Sequence, residues 1–446
     1  MNGINGTNGY KNSDNLIQVL DGEVQVDSVL KEITKDSYQE DPFYICDVRE
    51  LIRRHEDWKN VMPRVGTHYG NVIYLFPYTS IISHFTVKCN DSRIVLETLA
   101  ALGTGFDCAS EGEIRKVVSH LKYAAEVGVD VMTFDNEYEL YKVKRVFPNA
   151  KLVIRIKYDD LSARYVLGHK FGCDPHTEAA PLIRVAASLG LRVIGVCFHV
   201  GSDSKDISIF ENAIAASRRL FDEAASLGVK LELLDIGGGF PGEKNKPIKK
   251  GNIGEIINSA LERYFPDRSI KITSEPGRYY VNTAFTLASR IHSMRDLLQT
   301  GTLRIVLVEF YNAFSVTYVI WLENDGSEDP VTQRKETHRM YYVDVSVYGA
   351  LIPVFYVFGE SYTIRPLHRN PKAELRPCTI WGPTCDTFDK ISRGVDMLPE
   401  MQIGDWVVFE ETGAYTLSIA CEFNGFATPK VHSVIDEEGW GISPWE

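Results

Sequence analysis

Six short stretches carry residue types that can do chemistry. FTVKCN, Phe85 to Asn90, reads as a strand with an amine, Lys88, near its end. FDCAS contains Asp107, KLVIRI contains Arg155, and VIGVCFHVGS ends in His199 and Ser202. LLDIGGGF holds Gly237, Gly238 and Gly239, and SEPGR sets Glu275 and Arg278 around Pro276 and Gly277. Each alone has an ordinary reading. A strand-end lysine can pack its stem inside and extend its head to water. A glycine run can be a tight turn, and a Glu–Arg spacing of three can be a structural ion pair. Together they say more. A glycine triplet after a strand lets backbone amides approach an anion closely. A strand-end lysine, a carboxylate, a histidine and a phosphate cradle are jointly what pyridoxal phosphate requires.

The elements that must position these residues follow from periodicity. From about residue 44 to 280, strand-like runs (FYICDV, FTVKCN, FDCAS, VDVMTFD, KLVIRI, VIGVCFHVG, ELLDIGGG, KITSEPGR) alternate with amphipathic helical runs. The latter, such as RIVLETLAALG and FENAIAASRRLFDEAASLG, place apolar residues at i, i+3 and i+4. Repeated βα alternation predicts an α/β fold with a parallel sheet, and this many units favours a closed, TIM-like β/α barrel. In such a barrel the active site forms at the C-terminal ends of the strands, where the residues above fall. Residues 286 to about 440 are rich in β-branched and aromatic residues between turn signals, which predicts an antiparallel β domain. The expected division is an N-terminal segment 1–43, a barrel 44–285 and a β domain 286–446.

Composition bounds the rest. The chain has 446 residues, 44% hydrophobic and 24% charged, as in ordinary globular proteins. A net charge of −12 argues against a nucleic-acid surface and tolerates small cationic substrates. Eight scattered cysteines form no CxxC pair and no metal-ligand spacing, and several fall in strand-like runs. This predicts reduced, buried thiols, no metal and a cytoplasmic location. The opening MNGINGTNGYKNSDN lacks the apolar core of a signal peptide, so its Asn-Gly-Thr triplet reads as chance. Apolar runs at 71–87 and 302–322 are interrupted by Pro77 and by Arg304, Glu309 and Asn312, and are expected to be buried segments rather than membrane spans.

The chain resembles the eukaryotic ornithine decarboxylase family, pyridoxal-phosphate decarboxylases with an alanine-racemase-like barrel. VKCN, LAALGTGFDCAS, FHVGS, LLDIGGGFPG, SEPGRYYV, VYG, IWGPTCD, GDW, TGAYT and FNGF carry the resemblance. They cover most of residues 44–290 and about 340–435. The resemblance implies decarboxylation of L-ornithine to putrescine, and a β domain that also recruits the N-terminal segment. It implies that Lys88 holds the cofactor as a Schiff base and that Glu275 meets the pyridine nitrogen. His199 would stack on the ring, while Ser202, the glycines, Arg278 and Tyr415 would bind the phosphate. Cys385 and Asp386 would reach across a homodimer into the partner's site. Cys385 would protonate the product carbon there, and Asp386 would pair with the distal ammonium of a small basic amino acid. Read alone, Cys385 would pass for an inert buried thiol.

Six departures stand against the family pattern. The Tyr-Asp pair beyond VYG falls on Tyr356-Val357, so one substrate-binding acid is missing. EGEIRKVVSHLKYAAEVGVDV runs from one helix into the next, so one barrel strand is expected to be absent. Residues 66–84 replace a very short connection, and residues 291–330 match nothing in the family. The Asn-Asp-Gly before VYG reads Asp344-Val345-Ser346, and an acidic Asp203 follows Ser202. Two functions therefore remain in view: an active decarboxylase, which the retained site favours, and a non-catalytic relative that binds antizyme. Segment 122–148, with Lys122 and Lys142, resembles the family's antizyme-binding element under either.

Overall fold

Asp47 ends the Phe43–Asp47 strand and caps the Val48–Val61 helix, its carboxylate accepting from the Glu50 amide at 3.2 Å. Asn136 opens the Glu137–Val146 helix in the same way, through the Glu139 amide at 3.0 Å. Along Ile209–Ser226, Phe210, Ala213, Ile214, Ser217, Leu220, Phe221 and Ala224 are buried, the stripe that the helical spacing predicts. The computed structural model describes residues 10–12, 15–67, 83–109, 113, 131–158, 167–202, 206–248, 252–298, 337–356, 362–392 and 395–441.

The fold is α/β with a parallel sheet. Strands Val131–Phe134, Lys151–Ile156, Arg192–Phe198, Leu233–Asp235 and Lys271–Ser274 pair in chain order, all parallel. Gly66–Thr67 extends this sheet beyond Lys271–Ser274. Ser83–Thr86 and Thr104–Asp107 form a separate parallel pair. Among the described residues no ladder joins Thr104–Asp107 to Val131–Phe134. The expected strand loss at 111–128 and nearly all of the replaced connection at 66–84 lie outside the described residues.

A second sheet, ten-stranded among the described residues, is built around the long strand Phe285–Leu298. That strand pairs antiparallel with Phe43–Asp47, Trp406–Glu410 and Thr337–Val343. Two expectations are corrected here. FYICDV is a strand, but it belongs to this sheet, because its backbone pairs with Phe285–Ala288 on one side and with Lys430–Val434 on the other. The sheet is also mixed rather than antiparallel. Lys430–Asp436 runs parallel to both Asn15–Leu20 and Phe43–Asp47, and Thr337–Val343 runs parallel to Leu375–Trp381. Most of segment 291–330 lies outside the described residues.

One apolar cluster runs through both sheets, joining Ile154 and Leu234 to Val407 and Ile435, so the two halves share an interior. Six cysteines are buried as expected, but Cys385 and Cys421 are exposed. No helix among the described residues is long and apolar enough to cross a membrane, and no group of three or more acidic, histidine or cysteine side chains among them is placed to hold a metal ion.

Candidate active site

Lys88 does not lie in the strand that precedes it. Ser83–Thr86 closes at Thr86, and Val87–Cys89 forms a single 3-10 turn. Tertiary contacts fix that turn. The loop after Trp406–Glu410 folds over it: the Tyr415 amide donates to the Cys89 carbonyl at 2.8 Å, and the Ser418 hydroxyl to the Lys88 carbonyl at 2.8 Å. The Asn90 side chain donates back to the Gly413 carbonyl at 2.9 Å. The turn leaves the Lys88 side chain half-exposed, with Nζ 3.6 Å from Asp107 Oδ2. The Asp107 charge is the main influence holding the Lys88 ammonium above its ordinary range, and Glu275 adds to it while burial and Arg155 oppose it.

Asp107 and Asp235 end two strands, Glu275 directly follows a third, and the three acids act on one another electrostatically. Burial pushes each carboxyl up, Asp235 to about 7 and Glu275 well above the usual range, and the Asp107 charge adds to both rises while Asp235 adds to that of Glu275. His199 follows the Arg192–Phe198 strand. Its Nδ1 accepts from the Gly201 amide at 3.0 Å, and burial with the Arg155 and Lys88 charges lowers it to about 3. The imidazole is therefore neutral at ordinary pH.

The glycines are required where they stand. Gly237 has φ +64, and a Cβ there would fall 2.1 Å from the Phe198 carbonyl oxygen. A Cβ on Gly238 would sit 2.8 Å from His199 Nε2 and from the Glu275 carbonyl, and one on Gly239 2.3 Å from the Gly201 carbonyl. The Asp235 carboxylate accepts from the Gly237 amide at 2.8 Å, and the Ser274 hydroxyl donates to the Gly237 carbonyl at 2.8 Å. Pro276 precedes the Gly277–Val281 helix, which carries Arg278 on its first turn. The Arg278 guanidinium lies 5.4 Å from the centre of the Tyr415 ring, and Tyr415 itself adopts φ +57. Ser202 is partly buried in the loop after His199.

Cys385 and Asp386 form a second group on the larger sheet. The Cys385 thiol donates to the Asn424 side-chain oxygen at 3.5 Å. Asp386 accepts from the Phe388 amide at 3.0 Å and from the Tyr348 hydroxyl, and these donors hold its carboxyl below the usual range. Tyr348 packs on Phe423 with ring centres 4.5 Å apart. Buried Asp389 fastens the loop by accepting from the Val347 amide at 2.7 Å and the Thr384 amide at 3.0 Å. Tyr356 ends the short Pro353–Tyr356 helix, and Val357 and Asp203 lie outside the described residues. Sequence reasoning passed over Asp235 and Tyr348. An Asp two residues before a glycine turn is the signal that could have found Asp235.

These residues fit pyridoxal phosphate: an amine, a carboxyl inclined to share a proton, a neutral ring and an amide cradle with no room for side chains converge at the strand ends. Residues 48–282 match the family described as pyridoxal-dependent decarboxylase, pyridoxal binding domain. The chain belongs to that family of pyridoxal-dependent decarboxylases. Within it, mouse ornithine decarboxylase is 39% identical over 94% of this chain and 85% of its own length. Antizyme inhibitor 2 of Xenopus laevis is 36% identical over 93% of this chain and 85% of its own length. The crystal structure of the arginine decarboxylase of Paramecium bursaria Chlorella virus superposes with a TM-score of 0.74 at 30% identity, covering 92% of this chain and all of the viral one.

Proposed function

We propose that this chain decarboxylates L-ornithine to putrescine and carbon dioxide in the cytoplasm, the first step of polyamine synthesis. The observation that carries the reading is the convergence of Lys88, His199, Glu275 and the glycine cradle at the ends of parallel strands. Lys88 would bind the cofactor covalently, with Asp107 orienting the amine. Glu275 would share a proton with the pyridine nitrogen, and neutral His199 would cover one ring face without adding charge. Gly237, its amide tied to Asp235, would shape the cradle, and the amides of Gly238 and Gly239, with Ser202, Tyr415 and Arg278, would hold the phosphate. Pro276 and Gly277 shape the turn that presents Arg278. Pyridoxal phosphate, when bound, supplies the sink for the electron pair left as carbon dioxide departs.

Asp386, held ionised by its donors, suits the distal ammonium of the substrate, and the resemblance adds Tyr356 to the residues that would bind it. Cys385 would return the proton to the reacting carbon. Both would act in the partner's site of a homodimer, which calls for an exposed thiol and an accessible carboxylate like those seen here. In this reading residues 44–285, apart from the opening strand that pairs in the other sheet, form a β/α barrel short of one strand between Thr104–Asp107 and Val131–Phe134. Residues 286–446, joined by 1–43, form the β domain. Incubation with pyridoxal phosphate, borohydride reduction and peptide mapping test the assignment. The expected product is a modified Lys88 peptide; modification of another lysine, or none, overturns it.

A second reading, a non-catalytic regulator that binds antizyme through 122–148, draws on Val357 in place of a substrate-binding acid and on the likeness to antizyme inhibitor 2. The retained Lys88, His199, Glu275, Arg278, Cys385 and Asp386 favour the enzyme. Carbon dioxide release from ornithine separates the two.

A further inference from the structure

Glu50 and Arg54 stand one turn apart on the Val48–Val61 helix, and both are buried, at 7% and 8% exposure. Arg54 Nε donates to Glu50 Oε1 at 3.0 Å. Its Nη2 donates to the Gly242 carbonyl at 3.1 Å and to the Thr283 hydroxyl at 2.8 Å. That hydroxyl donates in turn to Glu50 Oε1 at 2.7 Å. Burial works to raise the Glu50 carboxyl, but the Thr283 bond and the Arg54 and Arg53 charges outweigh it and hold the group below the usual range. The guanidinium also lies 5.0 Å from the centre of the Tyr279 ring.

These contacts join two loops that are remote in sequence. Gly242 ends the segment that begins with the glycine cradle, and Thr283 follows the helix that carries Arg278. The two loops press directly on each other. A Cβ on Gly242 would fall 2.6 Å from the Arg278 carbonyl oxygen and 2.9 Å from its Cγ. The placement of Gly242 therefore sets where the Arg278 side chain begins.

We propose that Arg54 and Glu50 are positioning residues for the cofactor phosphate, a clamp behind the site that fixes the glycine cradle and Arg278 at the spacing one phosphate requires. The inference rests on the reading that these two segments bind the phosphate. Arginine suits the task because its planar fork directs donors at a carboxylate, a carbonyl and a hydroxyl on three segments at once. A lysine would present one point charge. Among the described residues the clamp's hydrogen bonds reach Gly242 and Thr283 rather than Lys88, His199 or Glu275, so its effect should be confined to the phosphate end.

That confinement makes the test. Dissociation constants of pyridoxal phosphate and of pyridoxal, which lacks the phosphate, are measured by absorbance on the apo forms of the wild type and of Arg54→Met, Arg54→Lys, Thr283→Val and Arg278→Met. A thermal melt accompanies each. Arg54→Met should cut the preference for the phosphorylated form about tenfold, as loss of a supporting residue behind a site does, with pyridoxal affinity moved less than about twofold. Arg54→Lys should recover part of that preference. Thr283→Val keeps the ion pair but removes the hydroxyl's two bonds to charged partners, and should cut the preference about threefold, as a partial loosening of the clamp would. The inference is overturned if the preference is unchanged in folded Arg54→Met, or if both ligands weaken alike. Should Arg54→Met fail to fold, an unchanged preference in Thr283→Val overturns it. If Arg278→Met also leaves the preference intact, the phosphate reading itself fails, which is a separate outcome.

Discussion

Asp107→Asn tests the electrostatic setting of Lys88. The Asp107 carboxylate oxygen stands 3.6 Å from Lys88 Nζ and is the main influence raising that amine. At this distance two unit charges interact by ~1 kcal/mol in water and ~5 kcal/mol at an effective dielectric of ~20. Because the Lys88 side chain is half-exposed, the lower end applies, about 1–1.5 kcal/mol, or roughly tenfold in the ionisation equilibrium. Removing the acid lowers the Lys88 pKa, so the neutral fraction at neutral pH rises about tenfold. Only the neutral amine attacks an aldehyde. Apo Asp107→Asn should therefore take up pyridoxal phosphate about tenfold faster near pH 7, with its pH profile moved about one unit toward acid. Stopped-flow absorbance of cofactor uptake across a pH series reads this directly. An unchanged profile would refute the reasoning, because another group would then control the amine.

Asp235, raised to about 7 by burial, binds a proton when folded that the unfolded chain releases near 3.8, so its ionisation removes stability as pH rises between those values. Asp235→Asn should melt higher than the wild type near pH 8 and alike near pH 4, a gain of at most ~4 kcal/mol at ~1.4 kcal/mol per unit. Gly237→Ala meets a left-handed φ of +64 and a backbone oxygen 2.1 Å away, and should lose about 2–4 kcal/mol of stability together with cofactor affinity, read by melt and absorbance titration. Mixing inactive Lys88→Ala and Cys385→Ala chains should restore part of the activity through hybrid dimers. No recovery despite subunit exchange would mean that each site is built within one chain. Val357→Asp should lower the Michaelis constant for ornithine roughly 10- to 100-fold, the worth of a charged hydrogen bond.

The chemistry was legible where it is local. The glycine triplet and the SEPGR turn are each contiguous runs, and their roles follow from close approach of backbone that few other sequences permit, whereas Asp235, two residues before the triplet, was passed over. Lys88 was legible as a strand-end amine, but the 3-10 turn that presents it was not, because Tyr415 and Ser418 hold it from more than three hundred residues away. The Glu50–Arg54 pair reads in sequence as an ordinary surface ion pair at i, i+4. Only packing against Gly242 and Thr283 shows that it is buried. The mixed sheet was misread for a related reason: Lys430–Asp436 alternates in the same way whether its neighbours run parallel or antiparallel. Its actual partners, Asn15–Leu20 and Phe43–Asp47, come from the other end of the chain.

The most direct test is release of labelled carbon dioxide from carboxyl-labelled L-ornithine by the purified chain with pyridoxal phosphate, run beside Lys88→Ala. The account predicts carbon dioxide and putrescine in equal amounts from the chain as it stands, and none above background from Lys88→Ala. Equal release from both proteins, or none from the unaltered chain when it is loaded with cofactor, would contradict it.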